Sequence, residues 1–222
     1  KGGMHLLLKI DTSHLSEKAK VDAADRALEV IRNRIDAFGV REPSIQKQGT
    51  DEIVVQLPGV TERERAIDLI GKTALLEFKL VNNDPEKLKS ALGGNAPEGF
   101  ELLYSEEDKE PLLLVKQAVL TGDALTDAMV RFGGQFNEPT VGLQFNAEGA
   151  KKFAEITAGN VGSRLAIVLD GKVQSAPRIK EAIPSGEAVI TGRFSVEQAQ
   201  DLAIVLRIGA LPAPMRIEEE RT

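Results

Sequence analysis

A chain of 222 residues with 42% hydrophobic content has room for one large domain or two modest ones and buries enough surface to fold without staples. It has no cysteine, which excludes disulfides, zinc–thiolate sites and thiol nucleophiles; a net charge of -6 with both signs interspersed, 4% aromatics and no tryptophan argue against any nucleic-acid partner. No apolar run approaches the ~20 residues that spanning a bilayer takes, and the ends, Lys1-Gly2-Gly3 without an initiating methionine and a charged Glu-Glu-Glu-Arg-Thr, lead to the expectation of a piece excised from something longer.

Met4 to Ile10 is apolar almost throughout and predicts a strand central in a sheet. Apolar residues at Val21, Ala24, Leu28, Ile31, Ile35 and Phe38 recur at helical steps, and Gly39 stands where a left-handed C-terminal cap belongs. Ser44 to Lys47 and Ile53 to Leu57 predict two strands turning around Gly49-Thr50-Asp51. Pro58-Gly59 ends the second, and Thr61 with Glu64 predicts a capping box opening a helix that runs to Ile70. Ala74 to Val81 returns to a strand. Residues 4–81 therefore read β-α-β-β-α-β, the order of the ferredoxin-like split βαβ unit, with both helices on one face of an antiparallel sheet.

Residues 82–110 break this regularity. Asn82-Asn83-Asp84-Pro85, Gly93-Gly94-Asn95 and the acids from Glu106 to Asp108 predict a boundary near residue 82, then an irregular excursion with one short helix. Leu112 to Val115 predicts a strand, and a short segment from Thr121 to Val130 breaks at Gly133-Gly134. A second unit follows. Thr140 to Phe145 alternates as a strand, and Asn146 caps a helix whose apolar face includes Ala150, Phe153, Ala154 and Thr157. Within Arg164 to Ile183, Asp170-Gly171 between apolar stretches signals a hairpin, because both residues tolerate positive φ. Ala188 to Thr191 predicts a further strand. Ser195 with Gln198 predicts a capping box, and Val196, Ala199, Leu202, Ala203 and Leu206 line a helix closed by Gly209. Leu211-Pro212-Ala213-Pro214 reads as a stiff extended connector, and Met215 to Glu218 as a last strand able to pair with either half. The two halves read as repeats of one topology, and the fold class is α+β.

The search for chemistry returns little. His5 and His14, with Asp11 between them, supply too few converging ligands for a metal, and a strand histidine and a surface one are expected instead. Acidic pairs such as Glu17/Asp22 and Glu106/Glu107 lie in polar stretches that give no carboxyl the desolvation a general acid needs. Ser163 and Ser175 have no histidine in their own half to act as base. Gly2-Gly3, Gly93-Gly94 and Gly133-Gly134 match neither phosphate-binding nor dinucleotide-binding glycine patterns. The expectation is a protein that is not an enzyme, with no catalytic residue, cofactor or metal. Leu102, Leu103, Phe132 and Phe136 in the irregular middle are candidates for contact with a polypeptide, with anchoring of long loops to the core as the alternative.

The assembled motifs resemble the SecD family, bacterial membrane components that assist protein export through the Sec translocon. Gly2 to Asp11, GGMHLLLKID, is similar to the segment directly after the family's first transmembrane helix. Arg32 to Val60, RNRIDAFGVREPSIQKQGTDEIVVQLPGV, is similar to its Arg…Gly-Val…Glu-Pro…Leu-Pro-Gly signature. AIVLDGKVQSAPRI, ITGRFSVEQAQDLA and LRIGALPAP follow in the family's order; residues 83–135 match least.

The resemblance implies the first large extracytoplasmic (periplasmic) domain of a protein embedded in the bacterial inner membrane. It implies a membrane-proximal ferredoxin-like base, residues 1–82 with 210–222, and a second α+β head, residues 83–209, inserted before the final strand. The implied partners are unfolded preprotein, SecF and the SecYEG translocon, with the proton gradient acting on a membrane part absent from this chain. The head would hold emerging polypeptide and swing on the base; the alternative is a passive docking domain that contacts SecF or the translocon only. Hinge candidates are Val81, Asn82, Asn83 and Asp84 at one crossing and Gly209, Pro212 and Pro214 at the other. Within the signature, Arg34 and Glu42 are expected to pair and fix the first helix against its exit loop.

Overall fold

A computed structural model describes residues 2–134 and 136–221 and divides the chain into two units. One runs from the N-terminus to Ala74 and resumes at Ile208; the other is Leu75–Arg207. The first unit opens with β1 (Gly3–Ile10), α1 (Glu17–Phe38), β2 (Ser44–Gln48), β3 (Glu52–Pro58) and α2 (Arg63–Gly71). The second contains β4 (Leu76–Leu80), α3 (Pro85–Leu92), β5 (Phe100–Tyr104), β6 (Pro111–Val115) and β7 (Leu120–Thr121). It continues with β8 (Leu125–Gly133), β9 (Glu138–Phe145), α4 (Ala147–Gly159), β10 (Leu165–Leu169), β11 (Lys172–Ser175), β12 (Glu187–Ile190) and α5 (Val196–Ile208). The closing strand, β13 (Met215–Arg221), belongs to the first unit.

In the first unit the strands lie in the order β13-β1-β3-β2, with every neighbouring pair antiparallel. Met4, Leu6, Leu8 and Ile10 alternate inward along β1 and meet Ala24, Ala27, Ile31 and Ile35 of α1 and Ala66 and Ile70 of α2 in one core. Each large apolar side chain buried there contributes about 1.5–3 kcal/mol. Ser16 caps α1 by accepting from the Ala19 N–H, and Gly39, at φ +87°, ends it with donation to Asp36 and Ile35 carbonyls. The Thr61/Glu64 capping box does not form: Glu62 holds the cap position of α2 and makes no side-chain cap bond.

The expected fourth strand of this unit is also corrected. Residues 74–81 supply β4, which pairs with β10 and β7 in the second unit, while β13 takes the place beside β1. An alternating strand, apolar at Leu76, Phe78 and Leu80, reads the same whichever sheet receives it. Ala74, just before β4, has φ +61°.

Among the described residues the second unit holds three sheets, β11-β10-β4-β7, β12-β9-β8 and the hairpin β5-β6. A repeat of the β-α-β-β-α-β order would put β9 and β10 in one sheet, but they lie in different sheets, so the halves do not share a topology. The hairpin at Asp170-Gly171 does form, with φ +50° and +77° and Leu169 paired to Lys172. The Asp170 carboxylate also ties the hairpin to the start of β4. It accepts from the Leu75 N–H at 2.8 Å, and the Asp170 N–H donates to Leu75 O at 3.0 Å. Ser195 and Gln198 form the expected capping box, each side chain accepting from the other's N–H at 3.1 and 2.8 Å. The stretch read as irregular contains α3 and β5, and the short segment after Thr121 is a nine-residue strand, β8.

Candidate functional site

An aromatic cluster in the second unit supplies two residues, Phe78 and Phe153, to the lining of a pocket. Phe78 on β4, Phe145 at the end of β9 and Phe153 on α4 meet with centroids 5.5, 6.1 and 5.0 Å apart. Two of the contacts are edge-on, the arrangement ring quadrupoles favour. After β11 the chain stays extended beside β10: Leu165 N–H donates to Pro177 O at 3.0 Å and Ile179 N–H to Ser163 O at 2.8 Å. Thr157, buried on α4, then holds the next turn. Its hydroxyl donates to Phe153 O at 2.8 Å and accepts from the Ile183 N–H at 2.9 Å. Gly186, at φ +69°, turns the chain into β12 against Ala150, whose methyl would lie 2.6 Å from any Cβ placed there.

These elements enclose a pocket of about 250 Å³. It is lined by Phe78, Phe153 and Ile167, by Ile179 and Ile183, and by Val189 of β12, with Arg178, Lys180 and Glu181 as its charged members. Small-molecule sites commonly run to about 300–1,000 Å³. A smaller apolar recess of this kind suits one or two hydrophobic side chains, and its lining brings no nucleophile and base together.

The predicted site residues are dispersed. Leu102 and Leu103 lie half-buried on β5, opposite Leu113 and Leu112, with Leu103 packed on the core. Phe132, 54% exposed on β8, and Phe136, 78% exposed between β8 and β9, stand apart from the pocket lining. Val81 to Asp84 is not where the chain changes unit. Val81 N–H donates to Arg164 O, Asn82 N–H to Leu113 O, and Asp84 caps α3 by accepting from Glu86 and Lys87 N–H ahead of Pro85. The Asn-Asn-Asp-Pro run is a helix start, which the turn composition alone did not distinguish from a linker. Gly209 to Pro214 is tied to the first unit: Leu211 N–H donates to Thr73 O, Asp11 N–H to Pro214 O, and Leu211 and Ala213 are buried in its core, with Pro212 between them.

Arg34 is directed at main-chain carbonyls, while Glu42 is exposed at φ +51°. Its guanidinium is fully buried and donates to Leu69 O (3.1 Å), Ile70 O (3.3 Å), Lys72 O (2.5 Å) and Gly209 O (2.9 Å). His5 lies on β1, and Asp11 is held below the ordinary carboxylate range by the Ser13 hydroxyl and N–H. Among the described residues no group of three or more His, Asp or Glu side chains stands close enough to hold a metal ion, and no helix is long and apolar enough to cross a membrane.

Two family models match the chain: SecDF, P1 head subdomain, over residues 100–213, and protein translocase subunit SecDF, P1 domain, N-terminal, over residues 24–83. The chain belongs to the SecD/SecDF family. The protein translocase subunit SecD of Desulfurispirillum indicum is 52% identical over 220 residues, which are 95% of this chain and 42% of that protein. The subunit SecDF of Thermus thermophilus is 44% identical over 226 residues, 100% of this chain and 30% of that protein. The chain thus spans less than half the length of these SecD and SecDF relatives. A crystal structure of SecDF in the super-membrane-facing form matches 100% of this chain and 30% of its own, at 41% identity and a TM-score of 0.80. A chain solved for the structure and function of SecDF, a membrane component that enhances protein export, matches 98% of this chain and 99% of its own, at 39% identity and a TM-score of 0.76. The SecDF head match contains α4, β10, β11 and β12, and so the pocket lining from Phe153 to Val189; Phe78 falls in the N-terminal match.

The lining escapes a sequence reading because its parts come from 78 to 189 in the chain and no local pattern joins them. The one available signal is the set of apolar residues Ile179, Ile183 and Val189 interrupting a polar, proline-containing stretch.

Proposed function

We propose that this chain is an extracytoplasmic domain of a membrane-embedded protein translocase subunit, and that its second unit holds segments of unfolded preprotein during export. The observation that carries this reading is the apolar pocket between Phe153, Ile179 and Val189, within the part that matches the SecDF head. A translocating chain has no fixed sequence, so its holder needs an apolar recess of modest affinity and no catalytic group. SecF and the SecYEG translocon are the proposed partners, and the proton gradient, acting on the membrane part outside this chain, the proposed energy source.

Movement of the second unit relative to the first is part of the proposal. The chain changes unit at Ala74–Leu75 and Arg207–Ile208, and the residues that would absorb the movement lie at or next to these two crossings. A disulfide tether between the units in the full-length protein should impair export; undiminished translocation with the tether formed refutes the movement. The holding role is tested by a photocrosslinker at Ile179 during translocation of an arrested preprotein. Adducts to the preprotein support it, and adducts only to Sec components leave a docking domain as the better description. The exposed Phe132 and Phe136 favour that second reading, and a crosslinker at Phe136 identifies what they touch.

A further inference from the structure

The pocket borders an open sheet edge. Among the described residues β12 pairs with β9 alone. Directly opposed residues in an antiparallel ladder alternate between pairs that exchange main-chain hydrogen bonds and pairs that do not. Phe145 N–H donates to Gly186 O at 2.9 Å, one step before the paired residues Glu187 and Gln144. This fixes the parity. Ala188 with Leu143 and Ile190 with Val141 exchange bonds across the ladder, whereas Glu187 and Val189 turn their N–H and C=O groups outward.

Val189 lies on the pocket's lip, 38% exposed, so one outward donor–acceptor pair stands beside the apolar recess. The second, at Glu187, is two residues away, about 6.6 Å along the strand, the repeat of any extended peptide. The Glu187 carboxylate does not cover this edge. Arg131 of β8 reaches across β9 to bind it at 3.0 Å, over Gly142, where a Cβ would lie 2.6 Å from Arg131 Nε.

We propose that an extended stretch of unfolded polypeptide adds to β12 as a further strand. It exchanges main-chain hydrogen bonds with Val189 and Glu187 while one apolar side chain enters the recess over Phe153. The occupant follows from the chemistry of the edge: matched N–H and C=O groups repeating every second residue are complementary to a peptide backbone. Backbone bonds are common to all sequences, so this mode supplies the tolerance that a holder of many clients requires. The inference rests on the holding role proposed above and specifies how the same site would bind.

The test uses the 222-residue chain labelled with nitrogen-15 and the capped heptapeptide Thr-Val-Thr-Leu-Thr-Val-Thr, together with a version N-methylated at two adjacent central amides so that both its edges are blocked. The parent peptide is expected to shift the resonances of Ile179 and Ile183, and to slow amide exchange at Glu187 and Val189 about tenfold while Ala188 and Ile190, already bonded, change little. N-methylation is expected to weaken binding about tenfold, the scale of one lost hydrogen bond. Val189→Pro, which removes an outward N–H and leaves the β9 ladder intact, should do the same. Equal affinity for both peptides, or unchanged affinity in a folded Val189→Pro variant, overturns strand addition and leaves the pocket reading standing. A parent peptide that shifts no pocket resonance at millimolar concentration overturns both.

Discussion

Arg34→Met should destabilise the first unit by about 3–5 kcal/mol, the cost of disrupting a buried charged network. The side chain has no exposed surface, and its guanidinium donates to Leu69 O, Ile70 O, Lys72 O and Gly209 O. The last carbonyls of a helix lack an intrahelical donor, and a cation beside them also meets the negative end of the helix dipole. A hydrogen bond to a charged group contributes about 1.5–3 kcal/mol, but bonds sharing one side chain do not add. Methionine refills much of the volume and avoids the cost of burying a charge, so the expected loss is well below the sum. Arg34→Lys keeps the charge but cannot span Lys72 O and Gly209 O with a planar fork, and about half the loss is expected. With one tyrosine and no tryptophan, the chain suits urea unfolding followed by far-UV circular dichroism better than fluorescence. A midpoint for Arg34→Met within about 0.5 kcal/mol of wild type, the scale of an ordinary surface substitution, would refute the clamp.

Lys79, 6% exposed at its side chain, bridges Glu101 at 2.6 Å and Glu77 at 3.1 Å, and Lys79→Met should cost about 2 kcal/mol by leaving two carboxylates facing each other. Burial pulls the Lys79 ammonium down, but hydrogen bonds to Glu101 and Glu77 outweigh it and raise its pKa above the ordinary 10.5. Its contribution is therefore complete below that value and lost as pH rises through the raised folded one, so above pH 10.5 wild type should lose stability more steeply than Lys79→Met in calorimetric scans. Gly186→Ala should cost about 2–3 kcal/mol, from a left-handed φ of +69° and a 2.6 Å clash with Ala150, read in the same unfolding assay. Asp108 accepts from the Ser105 hydroxyl and the Glu110 N–H, which hold its pKa below 3.8. Any stability it contributes is present above the ordinary value and fades as pH falls through the lowered one, and Ser105→Ala should raise the carboxyl's pKa in a carbon-13 NMR titration.

Elements set by local chemistry were readable from sequence. Gly39 ending α1, Asn146 opening α4, Ser195 with Gln198 opening α5 and Asp170-Gly171 turning a hairpin each rest on side-chain oxygens or backbone freedom within a few residues. Pairing between distant strands was not readable. The alternating segment 76–80, apolar at Leu76, Phe78 and Leu80, fits the edge beside β1 as well as the place between β10 and β7, and only the fold decides. Asn82-Asn83-Asp84-Pro85 failed for a related reason, since the residues that start a helix are those that fill a linker. Arg34 was expected to pair with Glu42 because its acceptors are main-chain carbonyls, which leave no trace in composition. The pocket stayed hidden because Phe78, Phe153, Ile179 and Val189 converge only after two sheets and α4 have come together, whereas Phe132 and Phe136, which did stand out, lie on exposed surface.

The central claim is that the edge and recess around Val189 hold a translocating chain. The most direct measurement is photocrosslinking in the full-length protein with an arrested preprotein, comparing probes at Val189 and Ile179 with one at Phe136. The account predicts preprotein adducts at Val189 and Ile179 in excess of those at Phe136. Preprotein adducts at Phe136 alone, or adducts at Val189 and Ile179 only to other Sec components, would contradict it.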